Sequence, residues 1–124
     1  MKYLTVAIPC YNSAEYMMNA INSLLVAGDD IEIIVVDDGS VDETKDIGLM
    51  YAKKYPDIVK CISKENGGHG SAVNTGLANS TGLYYKVLDS DDWFDKESLI
   101  KIIETIKKHH AEETGIDMYI ANYV

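Results

Sequence analysis

The sequence predicts one α/β domain, a mostly parallel sheet flanked by helices. Three observations lead there. Short apolar runs alternate with amphipathic segments along the whole chain; two of those runs open directly into acids followed by a turn; and 124 residues is close to the usual size of one domain. With 47% of residues hydrophobic, a chain of this length can bury a real core. No linker, internal repeat or low-complexity segment divides residues 1–124, so they read as a single unit.

The first strand is Tyr3-Leu4-Thr5-Val6-Ala7-Ile8. Asn12-Ser13-Ala14-Glu15 then has the form of a capping box, starting a helix whose inner face uses Met17, Ile21, Leu24 and Leu25 and which Gly28 ends. A second strand, about Ile31 to Val36, gives way to Ser40-Val41-Asp42-Glu43, a second box of the same kind. Its helix turns Ile47, Met50, Tyr51 and Tyr55 inward and stops before Pro56. A third strand, from Ile58 to Ser63, runs into Glu65-Asn66-Gly67-Gly68-His69-Gly70-Ser71 and a short helix through Ala72, Val73, Leu77 and Ala78. The apolar run Tyr84 to Leu88 reads as a buried fourth strand. After it, Leu99, Ile102, Ile103 and Ile106 recur at helical spacing, and a last strand begins near Asp117.

Composition excludes some classes of function. A net charge of −9 offers no basic surface for nucleic acid or an anionic membrane. The one basic cluster, Lys107-Lys108-His109-His110, lies at the end of a helix, where it complements the macrodipole, and should sit on the far side of the molecule from the acids. Cys10 and Cys61 fall in or beside apolar segments, as small buried hydrophobes do, with neither a disulfide framework nor metal-ligand spacing. No apolar run reaches membrane-spanning length and the N-terminus enters a strand at once, so a cytoplasmic domain is expected.

Parallel strands end at one edge, so four loops should meet there: Pro9 to Asn12, Asp37 to Ser40, Asn66 to Ser71, and Asp89 to Trp93. Asp89, Asp91 and Asp92 are three carboxylates within four residues. Crowded acids raise one another's pKa unless a cation or donors hold them, and a hard divalent metal carrying a phosphate ligand suits such a set. Each acid also has a plainer reading, as a helix cap or N-terminal acid, which remains open for Asp37 and Asp42. An aromatic ring, an acidic pair, a glycine loop and a metal-competent cluster around one crevice are the parts of a nucleotide-diphosphate site.

Four motifs, Ile8-Pro9-Cys10-Tyr11-Asn12, Val36-Asp37-Asp38-Gly39-Ser40, Asn66-Gly67-Gly68 with Asn74-Thr75-Gly76, and Asp89-Ser90-Asp91-Asp92, together resemble the family 2 glycosyltransferases over the whole chain. These are inverting enzymes with the Rossmann-like GT-A fold. The resemblance implies transfer of a sugar from a nucleotide-diphospho-sugar, usually a UDP-sugar, to an acceptor hydroxyl on a saccharide or lipid-linked molecule. It implies that Tyr11 stacks on the base beside backbone groups placed by Pro9, that Asp38 accepts the base imide N–H, and that Asp37 supports the turn. Asn12, Gly68 and Asn74 complete the implied donor-binding set with Asp89, which lies near the ribose. Asp91 would hold Mn2+ or Mg2+, with Asp89 and Asp92 as further ligands. Trp93 is expected as a core anchor for the following helix.

Two departures from the family pattern stand out. An arginine commonly precedes the residue at Asn74, where this chain has Val73, so phosphate charge would have to be met by His69 or by backbone N–H groups at a helix start. The family's catalytic carboxylate comes from an acceptor-binding half beyond any position like Val124. The chain therefore reads as the donor half of a longer enzyme, with no catalytic residue assigned. Other classes share some of these features: a phosphoacceptor receiver domain, a dinucleotide-binding dehydrogenase, and a nucleotide-binding module without transferase activity.

Overall fold

The computed structural model describes residues 1–114. Four strands alternate with four helices: β1 (Leu4–Cys10), α1 (Met17–Leu25), β2 (Ile31–Asp38), α2 (Thr44–Lys54), β3 (Val59–Lys64), α3 (His69–Ala78), β4 (Tyr84–Val87) and α4 (Lys96–Thr114). The sheet is parallel throughout, in the order β3-β2-β1-β4. The expected strand near Asp117 lies outside the described residues.

Central position explains the composition of β1 and β2. Every residue of both strands is buried, so apolar side chains occupy successive positions instead of alternating ones. On one face Val6, Ile8, Ile33 and Val35 pack with Met17, Ile21 and Leu24 of α1, Tyr51 of α2, and Leu99, Ile103 and Ile106 of α4. On the other face Ile34 and Val36 pack with Ala72 of α3. A Cβ on Gly76 would lie 2.8 Å from the Ala7 Cβ, so the absence of a side chain there lets α3 press onto β1.

Several expectations need correction. β2 runs on through the acidic pair, with Asp37 opposite Ser63 and Asp38 opposite Lys64, so the strand ends two residues later than expected and the turn begins after Asp38. Neither capping box acts as one: the residues before α1 and α2, Tyr16 and Glu43, make no side-chain cap bond, Asn12 and Ser40 are bonded to each other's loops, and the Thr44 N–H that opens α2 is taken by Asp42 instead. In α2 the inner face follows Thr44, Gly48 and Tyr51, and Met50, one residue out of phase, is 49% exposed. In α3 the buried positions are Ala72 and Gly76, while Leu77 is exposed. β4 is an edge strand among the described residues, and its burial is accordingly partial.

On the α3 face, Glu32 is almost fully buried and accepts hydrogen bonds from Thr5 Oγ1, Thr81 N and Thr81 Oγ1 at 2.8, 2.8 and 2.9 Å, and it pairs with Lys60 at 2.6 Å. Burial pushes this carboxyl up, but those donors more than offset it and hold it below its ordinary range. The cluster pins the α3–β4 connection to the sheet's N-terminal edge. At that edge too, Tyr3 meets the His110 ring and Lys107 pairs with Asp30, so the basic cluster lies opposite the acids; it does not end its helix as expected, because α4 continues to Thr114 with no basic residue in its last turn. Among the described residues, no helix is long and apolar enough to cross a membrane.

Candidate functional site

Side-chain hydrogen bonds join the four loops at the C-terminal edge in strand order. From loop to loop, Asn66 Nδ2 donates to the Asp38 carbonyl at 3.0 Å, Asn12 N–H to Ser40 Oγ at 2.9 Å, and Ser13 Oγ lies 2.8 Å from Ser90 Oγ. Further bonds tie the loop after β1 to the loop after β2: Val41 N–H donates to Asn12 Oδ1, Ala14 N–H to Asp42 Oδ2, and Ser13 N–H to Thr44 Oγ1. Asp42 Oδ1 accepts both the N–H and the hydroxyl of Thr44. The order β3-β2-β1-β4 reverses direction between β1 and β4, and the crevice at such a switch point is where open α/β sheets bind ligands. Ser13 and Ser90 stand on its two sides.

The acidic pair organises the glycine loop. Asp38 Oδ1 accepts from Lys64 Nζ at 2.8 Å and from Gly67 N–H at 2.9 Å, and Oδ2 accepts from Gly68 N–H at 3.0 Å. The Lys64 ammonium, acting against burial and helped by the two amides, holds the Asp38 carboxyl below the usual carboxylate range. Asp37 Oδ1 accepts Ser40 N–H, closing the turn, and Oδ2 accepts the Ser63 hydroxyl. Gly39 has φ +74, and a Cβ there would lie 2.7 Å from Asn66 N, so this turn requires glycine both for its backbone and for the close approach of the next loop.

Of the residues expected at the base, Tyr11 is 54% exposed directly beyond the buried end of β1, with Pro9 inside the strand. Asn12 adopts φ 51, a conformation Asn tolerates better than most residues, and this aims its amide at Val41. Gly68 is the N-cap of α3, His69 is exposed at its first turn, and Asn74 is exposed one turn on. The Val73 carbonyl accepts the Tyr85 hydroxyl of β4 at 2.7 Å.

Asp89, Asp91 and Asp92 are all exposed at the end of β4. Asp92 Oδ1 accepts Trp93 N–H, a local turn contact. Among the described residues no three His, Cys, Asp or Glu side chains stand close enough to hold a metal by themselves. That donor set fits a hard cation bound through one or two carboxylates and completed by substrate phosphates and water, the usual arrangement for Mg2+-like ions, and not a closed protein cage. Trp93 is not the expected core anchor. It is 65% exposed, and Phe94 takes the anchoring role, packing on the core with its N–H on Ser23 Oγ. Beside it a groove of about 410 Å³ runs along β4, lined by Lys86, Asp89, Asp92, Trp93 and Phe94 among others.

Sequence reasoning missed Lys64, Asn66 as a loop tie, and the serine pair. Lys64 was findable as the β3 residue in register with Asp38; the Ser13–Ser90 contact spans 77 positions and left no local signal. Burial pushes the Cys10 thiol up to about 12 and the Cys61 thiol up to about 11, which disfavours the thiolate a nucleophile needs. The topology also separates this chain from receiver domains, whose strand order is 2-1-3-4-5, and its glycine loop follows β3 instead of the first strand, as a dinucleotide fingerprint would require.

Comparison with known proteins gives a consistent result. The family model described as glycosyl transferase family 2 matches residues 5–121. An uncharacterized glycosyltransferase of Nostoc sp. is 40% identical over 105 residues, covering 84% of this chain and 33% of that protein. The crystal structure of S. aureus TarS 1–349 superposes with a TM-score of 0.77 at 35% identity, covering 89% of this chain and 33% of TarS 1–349. Its complex with UDP-GlcNAc gives 0.76. The mannosyltransferase PcManGT from Pyrobaculum calidifontis, in complex with GDP-Man and Mn2+, gives 0.70 at 27% identity, covering 77% of this chain and 30% of that one. The chain spans about a third of the length of that Nostoc protein, and 16% of the length of a similar uncharacterized glycosyltransferase of Rickettsia bellii.

Proposed function

The chain belongs to the family 2 glycosyltransferases, and from that premise we propose that its four tied loops bind a nucleotide-diphospho-sugar, with UDP as the nucleotide, for inverting transfer of the sugar to an acceptor hydroxyl. The observation that carries this reading is the hydrogen-bonded chain of loops at the switch point, which holds an exposed aromatic ring, a glycine loop and three carboxylates along one edge. The complexes of TarS with UDP-GlcNAc and of PcManGT with GDP-Man and Mn2+ support it.

In this reading Tyr11 offers its face to the base, and Pro9 and Asn12 fix the backbone beside it. Asp38 has both carboxylate oxygens engaged and one acceptor position left on Oδ2 for an imide N–H. Gly68, its own N–H held by Asp38, lets the chain pass close to the diphosphate, and the first amides of α3 after it offer by backbone what an arginine at position 73 does elsewhere in the family. Asn74 and Asp89 flank the sugar and ribose. Asp91, with one of Asp89 and Asp92 rather than both, would hold Mn2+ or Mg2+ together with the phosphates, and the ion would supply Lewis-acid stabilisation of charge on the departing diphosphate.

With these acids committed to donor binding, we assign the acceptor's general base to a carboxylate outside residues 1–124, in keeping with the share of the relatives that the chain spans. Residues 1–124 form the donor-binding part; alone they should bind nucleotide and not transfer sugar. The acceptor is a saccharide or lipid-linked hydroxyl, and no nucleic acid is involved. Cytoplasmic placement is part of the proposal, supported by two cysteines that are both free.

A thermal-shift screen of nucleoside diphosphates and their sugars, with and without Mn2+, tests the reading, because a ligand at about 100 times its Kd adds roughly 2.7 kcal/mol to the native state. UDP with Mn2+ should raise Tm by several degrees, while NADH and acetyl phosphate leave it unchanged. A flat response to every nucleotide would overturn the proposal.

A further inference from the structure

One hydrogen bond crosses the switch point between side chains that belong to neither the base-binding nor the acidic set. Ser13 Oγ, on the loop after β1, lies 2.8 Å from Ser90 Oγ, on the loop after β4. Ser13 is 5% exposed and fixed on every side. Its Oγ accepts Tyr11 N–H at 3.1 Å and donates to the Tyr11 carbonyl at 3.3 Å, and its own N–H donates to Thr44 Oγ1 at 2.8 Å. The position of Ser13 Oγ is thereby set by the backbone of Tyr11 itself. Ser90 stands between Asp89 and Asp91 in sequence, so a bond to its hydroxyl holds the backbone that carries both aspartates.

We propose that Ser13 and Ser90 form a latch that sets the spacing between the aromatic platform at Tyr11 and the carboxylates of Asp89 and Asp91, so that the two ends of a nucleoside diphosphate are bound as one unit. This rests on the nucleotide-site reading above. Neither serine touches the ligand; both are positioning residues. The base and the diphosphate are separated by a fixed ribose, and simultaneous engagement of two subsites multiplies affinity only when their separation matches that of the ligand. Without the latch, the loops after β1 and β4 keep separate attachments. Asn12 and Ala14 still hold the first to Ser40 and Asp42, and Phe94 N–H still holds the second to Ser23. The β1–β4 ladder, which ends with Leu88 N–H on the Ala7 carbonyl, still aligns the strands, so each half-site survives and it is the spacing of the loops beyond that rung that loosens.

The test compares uridine, which reports the base platform alone, with UDP plus Mn2+, which reports both ends, by calorimetric titration of the chain and its variants. Ser90→Ala is the primary variant because Ser90 is only half-buried; Ser13→Ala, at a buried site, is read beside its urea midpoint. Ser90→Ala should leave uridine affinity within about twofold and weaken UDP with Mn2+ by about tenfold, a loss of about 1.4 kcal/mol. Ser90→Thr, which keeps the hydroxyl, should restore most of it. The double variant should be no worse than Ser13→Ala alone, as expected when Ser90 acts through that one contact. Equal loss for uridine and UDP, or no loss for either, overturns the latch while leaving the nucleotide site standing. A wild-type chain that binds neither ligand overturns the nucleotide site and the latch together.

Discussion

Lys64 Nζ lies 2.8 Å from Asp38 Oδ1 across the last rung of the β2–β3 ladder, and the same carboxylate holds the amides of Gly67 and Gly68. A strand end, a cation and a glycine loop are thus fastened at one nearly buried point, since the Asp38 side chain is only 5% exposed. Removing the cation leaves the carboxylate with two amides and little water. Lys64→Met should therefore destabilise the chain by about 3 kcal/mol, the low end of the cost of breaking a buried pair. Urea unfolding at pH 7 measures it.

Acid should weaken the fold through the same group. Asp38 and Glu32 both titrate below their ordinary values in the folded state, Asp38 chiefly through Lys64 and Glu32 through donors that outweigh its burial. A lowered folded pKa contributes stability that is complete above the unfolded value, about 4, and is lost as pH falls through the folded one. Stability measured by urea unfolding should fall steadily below about pH 5. Asp38→Asn should be less stable at neutral pH and show a shallower acid loss; an acid profile identical to wild type would contradict this assignment.

Two glycines with similar backbones separate the cost of a turn from the cost of a contact. Gly28 and Gly39 both have positive φ, but a Cβ at 28 meets nothing within 4 Å, while one at 39 comes 2.7 Å from Asn66 N. Gly28→Ala should cost the backbone penalty of about 1–2 kcal/mol alone. Gly39→Ala should cost more, and should also weaken UDP binding by displacing the glycine loop. Tm and UDP affinity of the two variants give the comparison.

Asp91→Asn removes a full ligand charge from a hard-cation site and should weaken Mn2+-dependent UDP binding by about tenfold or more. Glu104→Gln, at an exposed position on α4, serves as the control and should change nothing. Asp42 would be a poor control, because its carboxylate accepts bonds from Ala14 and Thr44 and ties two site loops together. Unchanged UDP affinity in Asp91→Asn would remove the metal role from this residue.

The alternation of strands and helices, and the edge at which the loops meet, were legible because hydrophobic periodicity and parallel topology are fixed by local sequence. What was not legible depended on partners distant in the chain. The Ser-x-x-Glu and Asn-x-x-Glu patterns read as caps, yet Ser40 and Asn12 spend their polar atoms on each other's loops, a choice no window of a dozen residues contains. Met50 was assigned inward on hydrophobicity, whereas Gly48 sets the helix phase: a Cβ there would lie 2.6 Å from Cys61 Sγ. Trp93 and Phe94 compete for one anchoring position, and the sequence cannot distinguish adjacent aromatics by facing direction. The acids were found as a cluster, but Asp38 is a buried fastening for a loop as well as a candidate base reader.

Whether the four tied loops form one nucleotide site is read by amide chemical-shift mapping during a UDP titration with Mg2+ in place of paramagnetic Mn2+. The account predicts saturable shifts with a single Kd at Tyr11, Asn12, Gly67, Gly68 and Ser90, with Thr5, Lys107 and His109 at the far side unmoved. Shifts centred on the N-terminal edge of the sheet, or no saturable shifts at all, would contradict it.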